Sequence, residues 1–291
     1  MGLLTNLISG LSLGSIYAMI ALGYTMVYGI AKMLNFAHGD VIMIGAFSVI
    51  VAVSSLGLPA WVSCILAIAI CLIFGITIEK IAYKPLRKSP PLTVLITAIG
   101  VSYFLQSLAL LIFGSNQKSF PKVINADPLV LGDLTIRAES IFTLVCGFII
   151  MAALTLFIQK TKIGKAMRAV SEDKEAAELM GISVNRTITI TFAIGSALAG
   201  VAGIFFGSTY GFIGAYTGSM PGIKAFIAAV FGGIGSIPGA MLGGLLLGVI
   251  ENLSKAYIST ELSDAIVFGV LIFVLVLKPT GLLGKKTNEK V

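Results

Sequence analysis

Apolar residues fill most of this chain in long runs, and short polar segments separate the runs. A run of about 20 apolar residues predicts a membrane-spanning helix, because a helix of that length crosses the hydrocarbon core of a bilayer. The runs lie at 5–31, 38–56, 59–82, 91–113, 139–159, 187–212 and 263–278. The period-two alternation typical of an outer-membrane barrel is not visible. The pattern predicts an all-α fold, a polytopic membrane helix bundle.

Basic residues in short loops predict the orientation of the spans, since cytoplasmic loops carry an excess of Lys and Arg. Three groups mark the cytoplasmic side: Lys80, Lys84, Arg87 and Lys88; Lys160, Lys162, Lys165, Arg168, Lys174 and Arg186; and a tail with Lys278, Lys285, Lys286 and Lys290. The loop 114–138 is predicted to be external, because Asp127 and Asp133 offset its basic residues. Counting crossings back from Lys80 places the N-terminus outside.

A further apolar stretch at 224–253 is interrupted by Gly235, Ser236, Ile237, Pro238 and Gly239. The orientation requires an even number of crossings here, and about 30 residues are too few for two full spans. A re-entrant or broken-helix pair meets both requirements and gives about eight spans in total. A single kinked span with an error in the count of crossings is the alternative.

Composition excludes several classes of protein. The chain has 291 residues, of which 57% are hydrophobic and 11% charged, and its mean hydropathy is +1.02. A soluble domain carries about 25% charged residues, so residues 1–291 are predicted to form a single integral-membrane domain. The net charge of +7 belongs to loops beside spans and does not indicate nucleic-acid binding. The three cysteines, Cys64, Cys71 and Cys146, lie inside apolar runs and lack the spacing of a metal site.

Residues 160–186 form a charged, helix-prone segment between two predicted spans. Gly181 suits the C-terminal cap of a helix, and Ala176 and Ala177 are small enough for the groove of another protein to approach closely. Charged residues could fix the register at such a surface; these are Arg168, Glu172, Asp173 and Glu175. Docking of a partner and an ordinary solvated amphipathic loop are both consistent with this pattern.

Two polar or glycine-rich breaks are candidates for the solute path. The first contains Asn35, His38, Gly39 and Asp40, and ionisable groups at membrane depth are functional candidates. Its role could be structural, as a helix break capped by Asn35 or Asp40. It could also be functional, in gating, in solute contact or in a proton relay. The second contains Gly232, Gly233, Gly235, Ser236 and Gly239, where a half-helix N-terminus could face a carboxylate. We expect the two breaks to flank the path. Asp40, Glu79 and Glu251 are the candidate buried acids.

Four segments resemble a known family. Glu175-Ala176-Ala177-x-x-x-Gly181 looks like the EAA coupling motif of ABC importer permeases, although Ala193-Ile194 stand where that motif usually reaches a Leu-Pro pair. Segments 34–40 (LNFAHGD), 232–240 (GGIGSIPGA) and 278–284 (KPTGLLG) resemble the branched-chain amino acid permease family of the LivH type. Gly14-Ser15 and Gly195-Ser196 open similar Gly/Ala-rich helices, a likeness too weak to establish an internal repeat.

The resemblance implies a permease subunit of an ATP-driven importer for branched-chain amino acids in the bacterial cytoplasmic (inner) membrane. It implies a homologous second permease subunit, two cytoplasmic ATP-binding subunits and an extracytoplasmic substrate-binding protein. The chain itself is expected to be no enzyme and to need no cofactor, and it has no P-loop motif. The alternatives are an ABC permease for urea, short amides or another small polar solute, and a stand-alone secondary transporter.

Overall fold

The structure, a computed structural model, describes residues 2–124, 126–131 and 134–284. Asp133 of the predicted external loop and Lys285, Lys286 and Lys290 of the predicted tail lie outside the described residues. Helices form most of the described chain, as the apolar runs predict. They are α1 (Leu3–Ala31), α2 (His38–Ser54), α3 (Ala60–Ile78), α4 (Pro91–Phe113), α5 (Ala138–Lys160), α6 (Lys162–Glu172), α7 (Lys174–Leu179), α8 (Val184–Tyr210), α9 (Ser219–Gly232), α10 (Ile237–Tyr257) and α11 (Ser263–Leu277).

Short elements complete the fold. A π-helical turn, Glu79–Tyr83, and a 3-10 turn, Lys84–Leu86, continue α3. Four short strands form two antiparallel pairs: β1 (Lys118–Ser119) with β4 (Phe212–Ile213), and β2 (Leu129–Leu131) with β3 (Leu134–Ile136). Among the described residues, six helices are long and apolar enough to cross a membrane, namely α1, α3 with its turns, α4, α5, α8 and α10. The predicted polytopic helix bundle is confirmed, and three shorter apolar helices accompany these six.

Side-chain contacts bring the predicted cytoplasmic loops to one end of the bundle. Lys174 Nζ donates a hydrogen bond to the carbonyl oxygen of Ala31, the last residue of α1, at 2.9 Å. Arg87, which follows α3, contacts Asn185 at the start of α8. We call this the basic end, made of residues 31–37, 79–90 and 160–186. At the opposite end, β1 from the predicted external loop pairs with β4, which follows α8.

The helices form two inverted repeats, α1–α4 and α8–α11. The long helices α1 and α8 pack antiparallel, since α1 ends and α8 begins at the basic end. Helix α10 packs on α1 as α3 packs on α8, and α9 contacts α1 as α2 contacts α8. Helix α4 lies beside α2, and α11 lies beside α9. A pseudo-twofold axis in the membrane plane relates such repeats in many transporters.

The interrupted stretch at 224–253 is a helical hairpin of α9 and α10. Helix α9 has 14 residues, which is too short for a full span, whereas α10 has 21. Both helices extend beyond the predicted limits, from residue 219 to residue 257. Lys224 and Lys255, which lie near the predicted limits, both pair with Glu251 inside the helices.

Glycines allow α1 and α10 to approach within backbone contact. A methyl group placed at Gly248 would lie 2.2 Å from the backbone nitrogen of Gly14, and one at Gly244 would lie 2.4 Å from the backbone of Ala18. Small residues permit this packing in membranes, where lipid competes equally for larger apolar side chains. The contact of α1 with α10, the most extensive between the two repeats, therefore depends on these glycines.

We predict that Gly248→Leu destabilises the protein by about 1–3 kcal/mol or more, because the side chain must separate α1 from α10. Gly269→Leu on α11 is the matched control, since nothing lies within 4 Å of a methyl group added there. Thermal unfolding in detergent measures both variants. Equal melting temperatures for Gly248→Leu and Gly269→Leu would contradict this packing.

Candidate translocation and coupling sites

Helices α2 and α9 both begin inside the bundle. Residues 32–37 follow α1 without helical structure, and Lys32 at φ 59° ends α1. The His38 imidazole then packs against Gly23, where an added methyl group would lie 2.3 Å from Nε2. Gly23 precedes the end of α1 by eight residues, which is about 12 Å along a helix axis. Helix α2 thus starts well below the basic end.

The N-termini of α2 and α9 meet at three glycines. A methyl group at Gly218 would lie 2.1 Å from the carbonyl oxygen of Gly39, and one at Gly222 would lie 2.8 Å from the Cα of Gly39. A helix N-terminus carries a partial positive charge and unpaired amide groups. We call the meeting of residues 38–40 with residues 218–222 the half-helix junction; its two N-termini create an electropositive region inside the bundle.

A buried polar cluster joins this junction to α4. Gln106 Nε2 lies 3.0 Å from Asp40 Oδ1 and 3.1 Å from the hydroxyl oxygens of Ser102 and Ser219. Asp40 is 1% exposed, so its carboxyl group depends on these protein contacts rather than on bulk water. The cluster places one acidic group beside two half-helix N-termini.

The prediction that Asn35 or Asp40 caps the start of a helix is wrong. Ala37 is the N-cap residue of α2, and no side chain caps the helix. Asn35 Oδ1 instead accepts a hydrogen bond from Tyr83 OH at 2.9 Å, which ties residues 32–37 to the turn after α3. The His38 ring contacts the Tyr24 ring edge-on at 4.8 Å, and its Nε2 has no hydrogen-bond partner among the described residues.

The glycine break at 232–239 lies at the basic end, against the end of α1. Gly235 approaches Gly29 near the end of α1, and the backbone amides of Leu282 and Leu283 donate to the carbonyl oxygens of Phe231 and Gly232, both at 2.9 Å. The break that meets Gly39 is 211–218 instead. Sequence reasoning assigned residues 211–212 to a span and missed this break. The sequence feature that could have predicted the break is a set of four closely spaced glycines: Gly211, Gly214, Gly218 and Gly222.

The five predicted site residues of the 232–239 break have structural roles. A methyl group at Gly232 would lie 1.9 Å from the carbonyl oxygen of Gly239, and Gly233 and Gly235 have φ of 107° and 91°, which favour glycine. Ser236 Oγ accepts a hydrogen bond from the Gly239 amide at 3.2 Å and caps α10. These contacts close the α9–α10 hairpin and anchor the segment 279–284.

An ion cluster joins α9, α10 and α11 to α1, and sequence reasoning identified only one of its members, Glu251. Lys224 Nζ lies 2.8 Å from Glu251 Oε1 and 2.6 Å from Asp264 Oδ1. Glu251 also pairs with Lys255 and accepts a hydrogen bond from Tyr17 OH at 2.8 Å. Two basic and two acidic groups compensate one another, so the cluster adds no net charge to the apolar bundle.

A second polar cluster surrounds Glu79 at the basic end. Its fully buried carboxylate pairs with Arg87 and accepts a hydrogen bond from Thr189 Oγ1 at 2.8 Å. The contact of Arg87 with Asn185 extends the network. Glu79 therefore holds the turn after α3 against α8, and its charge is already compensated.

The charged segment 160–186 forms two helices rather than one. Asp173 ends α6, and its carboxylate accepts hydrogen bonds from the amides of Glu175 and Ala176, which caps α7. Gly181 ends α7 with φ of 80°, as expected. The remaining predicted residues divide by exposure: Arg168, Glu172, Glu175 and Ala176 are exposed, whereas Ala177 is buried within this chain and is not available to a partner.

Two features of α7 were not predicted as functional. Leu179 and Met180 are 89% and 82% exposed, an unusual exposure for large apolar side chains in a charged segment. Lys174 links α7 to the end of α1 through Ala31. Burial lowers the pKa of the Lys174 ammonium group, and the nearby positive charges of Lys32 and Arg87 lower it further.

Comparison with known proteins identifies the family. Residues 6–275 match the family described as branched-chain amino acid transport system / permease component. The chain belongs to this family. The high-affinity branched-chain amino acid transport system permease protein LivH of Salmonella typhimurium is 48% identical and aligns with 99% of this chain and 97% of its own length. BraD of Pseudomonas aeruginosa, with the same description, is 46% identical over 99% of this chain and 98% of its own.

A more distant relative covers part of the chain. The autoinducer 2 import system permease protein LsrC of an Enterobacter species is 35% identical over 52% of this chain and 44% of its own length. The name of this relative describes import of a different solute, so the shared sequence does not by itself define the solute. Together with the six long apolar helices, family membership makes this chain a multi-pass membrane protein of the permease type.

We predict that Gln106→Leu costs about 1–3 kcal/mol of unfolding free energy, because it leaves the Asp40 carboxyl group buried without its amide donor. The double variant Asp40→Leu/Gln106→Leu should recover part of that loss, since both polar partners are then absent. Thermal unfolding of the two single variants and the double variant measures the coupling. Strictly additive losses would contradict a direct interaction between these side chains.

Proposed function

We propose that this chain is the membrane-spanning subunit of an ATP-driven ABC importer for branched-chain amino acids in the bacterial cytoplasmic membrane. Its partners would be a homologous second permease subunit, two cytoplasmic ATP-binding subunits and an extracytoplasmic substrate-binding protein. ATP hydrolysis would take place on the two ATP-binding subunits, and this chain would supply part of the path for the solute. The names of the LivH and BraD relatives, which span nearly the whole chain, support the solute class.

The half-helix junction supports passage of a zwitterion with an apolar side chain. The N-termini of α2 and α9 would face the carboxylate of the solute, as half-helices do in other transporters. The Asp40 cluster would attract its ammonium group, while apolar residues of the surrounding helices contact the aliphatic side chain. Asn35, His38 and Gly39 belong to this proposed path, whereas Gly232, Gly233, Gly235, Ser236 and Gly239 would act from the basic end as part of its closure.

Helix α7 supports a mechanism in which the ATP-binding subunits move this chain. The observation that carries this proposal is the hydrogen bond between Lys174 and Ala31. Leu179 and Met180 would insert into a groove of an ATP-binding subunit, with Ala176 allowing close approach and Arg168, Glu172 and Glu175 setting the register around it. Movement of α7 would then displace the end of α1 through Lys174. Residues 32–37 connect that end directly to the start of α2, so the displacement would reach the half-helix junction.

Reconstitution tests the function as a whole. The assembled transporter in proteoliposomes should accumulate Leu, Ile and Val when ATP and the binding protein are supplied, and urea should not compete. Uptake by this chain alone, driven by a proton or sodium gradient, would contradict the proposal and would favour a secondary transporter. ATP-dependent uptake of urea in place of the amino acids would reject the proposed solute.

We predict that Leu179→Asp combined with Met180→Asp releases the ATP-binding subunits, since buried apolar anchors contribute about 2 kcal/mol or more at an interface. Leu262→Asp is the matched control, because Leu262 is also exposed but lies between α10 and α11 at the opposite end. Copurification of the ATP-binding subunits is the measurement. Full retention in the Leu179/Met180 variant would show that the partner does not dock here.

We predict that Lys174→Met lowers ATP-driven uptake by about tenfold while the subunits stay assembled, which corresponds to a loss of about 1.4 kcal/mol in the coupled step. The methionine keeps the apolar stem but cannot donate to Ala31. Lys165→Met on the exposed surface of α6 is the control and should transport normally. Equal uptake by both variants, or loss of the ATP-binding subunits from Lys174→Met, would contradict a transmitting role for Lys174.

A further inference from the structure

A cavity of ≈ 300 Å³ lies between α2, α3 and α4. Met43 and Phe47 of α2 form its buried side, Leu66 and Ile70 of α3 its second wall, and Ala109 of α4 its third. Every lining residue except Ser48 is apolar. The Ser48 hydroxyl donates to the carbonyl oxygen of Ile44 at 2.7 Å, so even this group is already satisfied. The wall offers hydrocarbon contact and almost no hydrogen bonding.

The second repeat fills the corresponding space with protein. Between α9, α10 and α11 a cavity of only ≈ 10 Å³ remains, where Phe231, Leu247 and Val267 pack together. The ion pair of Lys224 with Asp264 also holds α11 against α9. Protein interiors rarely keep voids larger than a few water molecules. The internal comparison indicates that the first repeat leaves room for a molecule that the chain does not supply.

The chemistry of the lining excludes most occupants. Ordered water needs two or more polar partners, which this wall does not offer. A zwitterionic amino acid would have to leave both charges unpaired, a large desolvation cost. An apolar occupant needs no polar partner from this wall. An acyl chain that moves into it from the bilayer stays in hydrocarbon, so it gains dispersion contacts with the lining side chains rather than hydrophobic transfer free energy.

The position of the cavity brings it next to the bilayer interior. Ile73 of α3 is 60% exposed and presents apolar surface outward. Ile112 of α4 lines the cavity and is 64% exposed, so the cavity opens on that surface. Trp61, 69% exposed in the first turn of α3, marks the membrane interface at the end opposite the basic end. Leu66 and Ile70 follow it by five and nine residues, about 8 and 14 Å deeper along a helix. Acyl chains of that leaflet occupy this depth.

We propose that this cavity is a lipid site, which holds one acyl chain of a membrane lipid from the leaflet opposite the basic end. The acyl chain fills the space between α4 and the α2–α3 pair. Helix α4 also carries Gln106, so the bound lipid supports the helix that positions the Asp40 cluster. The proposal does not depend on the solute or on ATP-driven transport.

Photolabelling of the full chain in lipid nanodiscs tests the proposal. The probe is a phospholipid with a diazirine in the middle of one acyl chain, and mass spectrometry of the peptides maps the adducts. We expect adducts on inward-facing residues of the cavity such as Met43 and Leu66. Ser48→Phe and Ala109→Phe fill the cavity and should abolish these adducts, whereas Ala152→Phe on the exposed face of α5 should leave them unchanged.

The opposite results overturn the proposal. Adducts confined to outward-facing residues such as Ile73 would mean contact with bulk lipid only. Adducts at Met43 that persist in both filled variants would place the lipid elsewhere. Displacement by excess leucine would make the cavity a solute pocket, and loss of the adducts on addition of a second permease subunit would make it a subunit interface.

A measurement on the unchanged sequence does not depend on the folding of the variants. An excess of unlabelled straight-chain phospholipid should compete with the probe for Met43 and Leu66. Diphytanoyl phospholipid, whose branched chains are wider, should compete poorly there but normally at outward-facing residues. Equal competition by both lipids at every labelled residue would contradict a shaped acyl-chain site.

Discussion

The contact between the N-termini of α2 and α9 is the constraint on which the rest of the structure depends. Two helices can begin inside an apolar bundle only if the backbone groups of their first turns, and of the irregular segments before them, are hydrogen-bonded or covered by protein. Gly39, Gly218 and Gly222 provide that cover by letting the two backbones touch. Because the helices then run to opposite ends, the contact is also the place where the two inverted repeats meet.

The surrounding interactions hold this junction from several directions. The Asp40–Gln106 contact attaches α4, and the ion cluster of Lys224 and Glu251 attaches α9 to α10 and, through Tyr17, to α1. Toward the basic end, Lys174 holds Ala31 at the end of α1, and Tyr83 holds Asn35 within the segment before α2. In the proposed mechanism, displacement of α1 at the basic end would therefore reach the junction through a short, restrained segment.

Sequence reasoning predicted what depends on local composition. The apolar runs gave the helices, including α4 at its observed bounds of 91 and 113, and Gly181 ended α7 as expected. Contacts between distant segments could not be read in this way. The break at 211–218 looked like the end of a span, because an apolar run does not reveal which residues unwind inside the bundle. Lys224 and Glu251 are 27 residues apart, and their pairing follows only from the α9–α10 hairpin.

The most direct test of the account measures whether the half-helix junction responds to the nucleotide. Ser102→Cys places a thiol beside Gln106, in an assembled transporter whose chain has Cys64, Cys71 and Cys146 replaced by serine or alanine. The rate of modification by a small methanethiosulfonate reagent should change by about tenfold or more between the nucleotide-free and ATP-bound states, which requires a difference of about 1.4 kcal/mol in the opening equilibrium. Lys174→Met should remove that change. An identical rate in both states would contradict the claim that movement at α7 opens and closes this junction.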